Sequence, residues 1–588
     1  MQIRNFYFMS LAFAVTAGTG IASIGLAQTE NPASAARDSG GAYKHYADPN
    51  LTKSGADRQA APQLLNLGSH TFPVSTRNKL AQRFINQGLN LSYAFNHAEA
   101  GRAFQEAARL DPSLAMAYWG QALVLGPNIN APMEPDDEIP ALESVRKAAS
   151  LSGNASPRER ALIGALQKRY NGNAEHRQAN DKAYADAMRD VHKRFADDPD
   201  IAMLYVESVM DLNSWGYWMR DDYPMEGTTE IVAITEDVMR RNPEHPGALH
   251  LYIHLVEPTK TPERAEKAAD KLLTLMPAAG HLVHMPSHIY LRMGRYEDAI
   301  KSNQRAIAAD EEYLAGQHAQ GLYPMGYFPH NIHFLWAAAT FDGQSRVAIE
   351  AARKLARTVD DATLKEVPLT AIYRVVPYWA LARFGKWEEM LSEPHPSSSN
   401  AFVKGGWHYA RGLAFTATRQ LQQAEQELEA LRGIMKDPSL DHLLMSPNSA
   451  RAVLTIGPEV LAGEIAAARG QFVTAISHLE RAVRLEDALI YTEPPEWLAP
   501  PRLTLGAVLL ESGHPAEAET VYWEDLRRNR NTGWALYGLL QALRAQNETD
   551  QAALIEARFR KAWARADVDL TASRFGCLAA PRVSSMQR

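Results

Sequence analysis

The chain has 588 residues, 46% of them hydrophobic, enough for several buried cores or one long repeat array and too many for a small stapled scaffold. With 61 Lys and Arg against 68 Asp and Glu, and the basic residues scattered rather than gathered into blocks or aromatic-interleaved stripes, nucleic acid is not expected as a partner. The single cysteine, Cys577, excludes an intrachain disulfide, thiolate metal clusters and c-type haem attachment, so any bound metal must rest on nitrogen and oxygen ligands.

The first residues, MQIRNFYFMSLAFAVTAGTGIASIGLAQTE, join a short n-region carrying Arg4 to an apolar stretch rich in small residues, with Gly25 and Ala27 before Gln28. This pattern reads as a cleaved export signal over residues 1–27 and predicts an exported, periplasmic protein with no stable membrane insertion after cleavage. An uncleaved anchor is the competing reading, because residues 6–27 are almost long enough to span a bilayer. Small residues where an anchor favours Leu and Ile weigh against it. Residues 28–75 are rich in Ser, Ala, Gly, Asn and Asp and lack periodicity, as expected of a flexible linker.

From residue 76 nearly to the end, helix-favouring segments alternate with short turns such as MGRYED, FDGQSR, RFGKWEE, ARGQFV and ESGHPAE, and no alternating run suggests a sheet. Two segments, LRMGRYEDAIKSNQRAIAAD and AARGQFVTAISHLERAVRLED, share a Gly, an aromatic two later, an Ala five after the Gly and another Ala seven beyond that. The pattern resembles the tetratricopeptide repeat (TPR), a helical pair of about 34 residues, and FNHAEAGRAFQEAARLDP fits its second helix. The resemblance implies an all-α solenoid of helical hairpins wound as a right-handed superhelix, with the first helix of each pair lining a concave surface. It also implies that the Gly makes the turn and that the Ala lets the helices approach closely. Weaker copies surround Ala265, Ala348, Ala424 and Ala518. The expected organisation is N-terminal helical repeats over 76–245, central His-rich repeats over 246–360, C-terminal repeats over 361–570 and a tail over 571–588.

The close-packing Ala of each second helix serves as a ruler for the histidines. His281, His284 and His288 lie 18, 15 and 11 residues before Ala299; His330 and His333 lie 18 and 15 before Ala348; His250 and His254 lie 15 and 11 before Ala265, with Glu257 at 8. Such offsets form one stripe of a helix. The TPR resemblance implies that the stripe faces the groove, and helices packed about 8–10 Å apart bring neighbouring stripes together. Clustered imidazoles are costly to bury without partners. The register therefore predicts a metal site for one or two ions on His250, His254, His281, His284, His288, His330 and His333, with Glu257 as a ligand or proton acceptor. Imidazole without thiolate or an oxygen-rich cage suits copper first, then zinc, then iron. Seven imidazoles exceed what one four-coordinate ion needs, so either some orient others or two ions bind. Pro286 makes the helix begin or kink within HMPSH, which weakens the one-face argument for His281 and His284 but not for His288.

Ala265 to Ala299 spans 34 residues and Ala299 to Ala348 spans 49, so an insertion precedes His330. It is expected as an ordered loop over 314–328, whose Tyr323 and Tyr327, together with Trp218, are candidate substrate-binding residues; a plain connector is the alternative. Glu207 and Asp211 stand one helical turn apart beside Trp215, Tyr217 and Trp218, a pattern open to acid/base work or to ordinary packing. His97, Glu493 and Glu496 read as structural. No phosphate loop, dinucleotide fingerprint, HExxH or GxSxG elbow is present, so nucleotide-dependent chemistry is not expected. The combination LHLYIHLVE, HMPSHIYLRMGRY and HNIHFL resembles a group of exported bacterial TPR proteins, a likeness that implies fold and location but no reaction. Three readings follow. The first is a metalloenzyme, with copper fitting oxidation by dioxygen and zinc fitting hydrolysis. The second is a groove that captures a small molecule, an extended peptide or a partner, with the imidazoles as hydrogen-bonding or pH-responsive groups. The third is a periplasmic metal carrier.

Overall fold

The computed structural model describes residues 60–316, 323–442, 444–445 and 447–576. The expected export signal, most of the expected linker and Cys577 lie outside the described residues. The fold is all-α and TPR-like: helices succeed one another through the chain, and the only strands among the described residues are the two-residue pair Leu444–Met445 and Asn448–Ser449. The chain forms two compact units, one of Met1–Ile289 with Gln304–Asn331, the other of Tyr290–Asn303 with Ile332–Arg588. Among the described residues no helix is long and apolar enough to cross a membrane.

A single turn recurs where one helix gives way to its partner. The amide of the residue directly after the left-handed position bonds the carbonyl five residues back, as in Gln471 to Ala466 (2.9 Å), Arg295 to Tyr290 (2.8 Å) and His514 to Leu509 (2.8 Å). The residue between them takes a left-handed conformation, so that orphan carbonyls at the helix end find donors. Gly294, Gly343, Gly385, Gly470 and Gly513 fill this position, and so do Phe95, Arg419 and Asn547, all with φ between 55° and 82°. Five residues later comes the point of closest helix approach. Ala100, Ala299, Ala348, Met390, Ala424, Ala475 and Ala518 occupy it and are fully buried, with Ala552 nearly so. The Gly-based repeat pattern of the sequence is therefore real, and the three hairpins without Gly obey the same geometry under other residues.

These regular turns dominate the second unit. In it, Ile456–Ala468 packs on Phe472–Ala488, and Pro501–Glu511 on Pro515–Arg528. The first unit is less regular and has longer connections between Leu125 and Glu138 and between Met210 and Thr228. Its N-terminal stretch, expected as linker, is fixed from residue 60. Phe72 is buried and stacks on Trp119 with ring centroids 5.9 Å apart, and Ala60, Leu64 and Val74 donate their amides to Glu106, Gln87 and Gln82. Polar side chains placed at backbone spacing hold this segment, which is why composition alone gave it no structural signal.

The expected loop over 314–328 is largely helical where described. Helix Tyr296–Gly316 covers its start, and a π-helical turn, Tyr323–Tyr327, leads directly into helix Phe328–Phe341. Gly and Pro in LYPMGYF are compatible with the wider π turn, which a Gly/Pro count does not distinguish from a loop.

The turn geometry is testable at Gly470, where φ is +74° and nothing lies within 4 Å of an added Cβ. Gly470→Ala is expected to cost about 1–2 kcal/mol from backbone conformation alone, with Gly470→Asn retaining most of the stability. Urea denaturation followed by circular dichroism compares the three proteins. Equal midpoints for Gly470→Ala and the unaltered chain would refute the left-handed requirement.

Candidate metal centre

Two short stretches of the first unit carry most of the site. Helix Pro246–Val256 begins with Pro in its first turn, and His245 caps it by accepting the Ala248 amide on Nδ1 at 3.2 Å. Every residue of this helix is buried, so His250 and His254, one turn apart, lie in the interior, and Glu257 follows directly after the last helical residue. The second stretch breaks at Met285, giving helices Gly280–His284 and Pro286–Met293. Pro286 lacks an amide to continue the ladder, so His281 and His284 stand before the break and His288 after it.

The imidazoles form two triads. His250, His254 and His281 can bring one ring nitrogen each within 4.8 Å of one another, and so can His284, His288 and His330. In the first triad, Nε2 of His250 lies 3.1 Å from Nε2 of His254 and 3.2 Å from Nε2 of His281. In the second, Nε2 of His284 lies 2.8 Å from Nε2 of His288, and the His330 ring centroid is 4.9 Å from that of His284.

The outer nitrogens fix the tautomers. Nδ1 of His250 is 2.7 Å from the Tyr93 carbonyl oxygen, which can only accept, so Nδ1 carries the hydrogen. Glu257 plays the same part for two rings at once: Oε1 accepts from His254 Nδ1 at 2.9 Å and Oε2 from His288 Nδ1 at 2.7 Å. Burial works against ionisation of this carboxyl, but His288 and the hydrogen bonds from both histidines outweigh it and hold its pKa well below the usual range. Burial, followed by the neighbouring imidazoles, drives His250 and His281 well below the usual histidine value, and burial lowers His254 despite Glu257. His250, His254 and His281 therefore favour the neutral ring, with Nε2 of His250 and His254 presented as lone pairs.

A second layer positions these groups. The Asp310 carboxylate accepts from the Tyr323 hydroxyl at 2.8 Å and from Asn331 at 2.7 Å, and the Tyr323 oxygen accepts the His281 backbone amide at 2.9 Å. Any Cβ at Gly280 would collide with that carboxylate, so only glycine allows the approach. Burial pushes the Asp310 pKa up to about 7 against its two donors. Phe95, held at φ 55°, packs against the first triad, tilted on His250 with centroids 4.5 Å apart and stacked on His281 at 5.6 Å. Asp310, Gly280 and Phe95 carry no sequence signal for this role, because it lies in long-range packing; the Tyr93 carbonyl has no side-chain signature at all.

The remaining candidates fall elsewhere or act differently. His333 belongs to neither triad. It lies in the second unit, its ring parallel to Trp336 at 5.3 Å and edge-on to Tyr373, and burial pushes its pKa down to about 3. Three residues along a helix turn a side chain about 60° away from a perfect repeat, so matching His330 does not carry His333 into the same group. Tyr327 lies against His281 with centroids 4.6 Å apart, whereas Tyr323 is engaged by Asp310 and the Trp218 indole donates to the Leu255 carbonyl at 2.6 Å. Trp215, rather than Trp218, reaches His254, edge-on at 5.0 Å. Glu207 and Asp211 line a separate small cavity with His97. Arg169 donates to Asp211 at 2.7 Å, and burial raises the pKa of both acids.

A third cluster, His70, Asp200 and His245, has metal-like composition but the wrong tautomer. His245 uses Nδ1 as the helix-cap acceptor, so its Nε2 carries the hydrogen and donates to Asp200 Oδ1 at 3.2 Å. His70 Nε2 and the Tyr93 hydroxyl lie 2.8 and 2.9 Å from the same oxygen. This is a structural tie between the 60–75 segment and two helices.

No protein-family model matches the chain, and no curated protein does. Similar solved structures include the human IFIT1 dimer with m7Gppp-AAAA, 12% identical over 83% of this chain and 91% of that one with a TM-score of 0.33. Another is the P58(IPK) TPR domain, 14% identical over 80% of this chain and 99% of that one with a TM-score of 0.22. The recurring hairpins make this chain a TPR-like helical-repeat protein. The ligand named with IFIT1 is that protein's own.

The Asp200 tie gives a pH dependence. Burial opposes its charge, yet hydrogen bonds from His245 and His70 hold the carboxyl well below the usual range. A depressed folded pKa means that the contribution is complete above the unfolded value of about 3.9 and is lost as pH falls below it. Asp200→Asn is expected to destabilise by about 2–3 kcal/mol at pH 7, with the gap narrowing in urea titrations at pH 3. A gap of equal size at both pH values would contradict the tie.

Proposed function

We propose that the protein is an exported, metal-dependent enzyme in which one ion rests on His250, His254 and His281 and a second on His284, His288 and His330. The direction of the imidazole nitrogens carries this reading. His250, His254 and His288 commit Nδ1–H to oxygen acceptors, so their Nε2 atoms face other ring nitrogens at 3.1 Å, 3.2 Å and 2.8 Å. At the 3.1 Å contact of His250 with His254 two lone pairs face each other and repel, and a cation between them turns the repulsion into coordination. His281 and His284 complete the triads, Nδ1 of His284 lying against the Ser287 hydroxyl, which can donate or accept. Glu257 becomes an orienting group for one histidine of each triad rather than a ligand, the arrangement in which a carboxylate fixes ring direction and raises ligand basicity.

An all-imidazole set without a ligating carboxylate favours copper, which binds nitrogen ligands most tightly among the divalent first-row ions, with zinc and then iron behind it. Copper would supply one-electron and dioxygen chemistry; zinc would instead direct the site to hydrolysis. The chain's own contribution is to hold ring directions through Tyr93, Glu257 and Asp310, and to shield the first triad with Phe95 and Tyr327. His250, His254, His281, His284 and His288 are each 2% exposed or less, which favours a small-molecule substrate over an extended peptide laid along an open groove.

Elemental analysis of the full exported chain, purified without chelators, should give about two ions per chain, and His254→Ala/His288→Ala should lose them with helicity retained. Protein that is metal-free and takes up no added copper, zinc or iron would sink the proposal. Glu257→Gln is expected to weaken metal affinity by about 10–100-fold without abolishing binding, measured by competition with a chromophoric chelator. His333→Ala should leave metal content unchanged.

A further inference from the structure

The second unit contains a partly open cavity of about 60 Å³ that includes neither histidine triad. Trp336, Trp379, Tyr409, Trp497 and Phe575 form aromatic walls, with Trp497 centred 5.1 Å from Trp379 and 5.0 Å from Tyr409.

The polar groups around this space are unbalanced. The indole N–H groups of Trp336, Trp379 and Trp497 are buried and have no hydrogen-bond partner among the described residues. Buried tryptophans ordinarily find one. In the same unit Trp534 donates to the Thr340 carbonyl and Trp563 to the Val568 carbonyl, both at 2.9 Å, while Trp407, outside the cavity, shares the unpartnered state. The two cations of the cavity differ as well. Arg574 is neutralised by Glu464 at 3.2 Å and Glu511 at 3.1 Å. Arg383 lies over the Trp534 ring at 3.6 Å and forms no ion pair or hydrogen bond among the described residues. Burial lowers its pKa to about 9, so it stays charged at neutral pH. Asp525, whose charge favours the guanidinium, lies beyond ion-pair distance and is bonded instead by Asn529 at 3.1 Å. Arg383 is partly exposed, so solvent reaches it where no counter-ion does, and guanidinium geometry matches a carboxylate bidentately.

We propose that this cavity binds a small organic anion with a planar, apolar body, its carboxylate on Arg383 and its body between Trp379, Trp497 and Tyr409. An acceptor-rich head matches a lining whose unused groups include a guanidinium and indole donors, and a flat body matches the aromatic walls. This site is independent of the metal reading and stands or falls without it.

The test titrates the full chain with 2-naphthoate and with its neutral counterpart 2-naphthamide, by calorimetry and by tryptophan fluorescence. Naphthoate is expected to bind, and naphthamide to bind at least about tenfold more weakly, as loss of a charge-assisted pair implies. Arg383→Gln should weaken naphthoate by a similar factor, and Arg383→Lys by less. Trp497→Phe, which keeps the wall but removes a donor, should weaken binding with the thermal midpoint preserved. Equal affinity for the two probes, no binding of either at millimolar concentration, or full naphthoate affinity in a folded Arg383→Gln protein would each overturn the proposal. If Arg383→Gln fails to fold, the naphthoate to naphthamide ratio on the unaltered chain decides.

Discussion

The close approach of two helices five residues beyond a left-handed turn is the contact from which the rest of this molecule is built. The turn fixes the exit direction of the second helix, and the buried residue at that fifth position fixes how near it lies to the first. Ala475 beyond Gly470 and Ala299 beyond Gly294 show the usual solution, while Met390 beyond Gly385 shows that a flexible unbranched side chain also serves. Where hairpins place their elements by this rule, as at Gly294 beyond the His281, His284 and His288 stretch and at Gly343 beyond His330, residues on different helices acquire predictable neighbours, and a recurring histidine register becomes a cluster.

Within that frame the histidine site depends on direction more than on proximity. Six imidazoles close together are a liability unless their nitrogens are sorted into donors turned outward and lone pairs turned inward. The Tyr93 carbonyl and the two oxygens of Glu257 perform the sorting for three of the rings. The contrast with His70, Asp200 and His245 is instructive, since comparable residue types stand equally close there, yet the helix cap on His245 Nδ1 reverses the sorting and leaves an internal tie.

Much of this was legible in the chain itself. The repeat pattern gave the fold, and the spacing of His250, His254, His281, His284, His288 and His330 identified residues that the fold brings together. His333 misled because an offset from a ruler residue specifies position along a helix, while the ring's surroundings depend on rotation about the axis and on which neighbours pack there. The hairpin turning at Asn547 escaped a reading keyed to Gly, although it takes the same backbone conformation as those at Phe95 and Arg419, which the FNHAEA segment and Ala424 mark. The role of Asp310 was invisible because it arises from contacts with residues 13 and 21 positions away. Packing of residues 60–75 was hidden for a similar reason: its anchors, such as Gln82, Gln87 and Glu159, lie on later helices.

The depth at which the first triad lies has a kinetic side. Its His250, His254 and His281, 1% exposed or less, exchange with bulk solvent only when the surrounding helices open, and local openings of a packed interior are infrequent events. The partly exposed His330 gives the second triad a contact with solvent. Under the two-ion reading, the lifetime of an ion in the first triad is then set by how often the helices bearing it part, not by the strength of the nitrogen bonds alone. Loading would be fastest while the first unit is still incompletely folded, and an ion captured then would stay through many cycles of chelator encounter. The same depth would make the metal acquired during maturation a record of the compartment in which the chain folded.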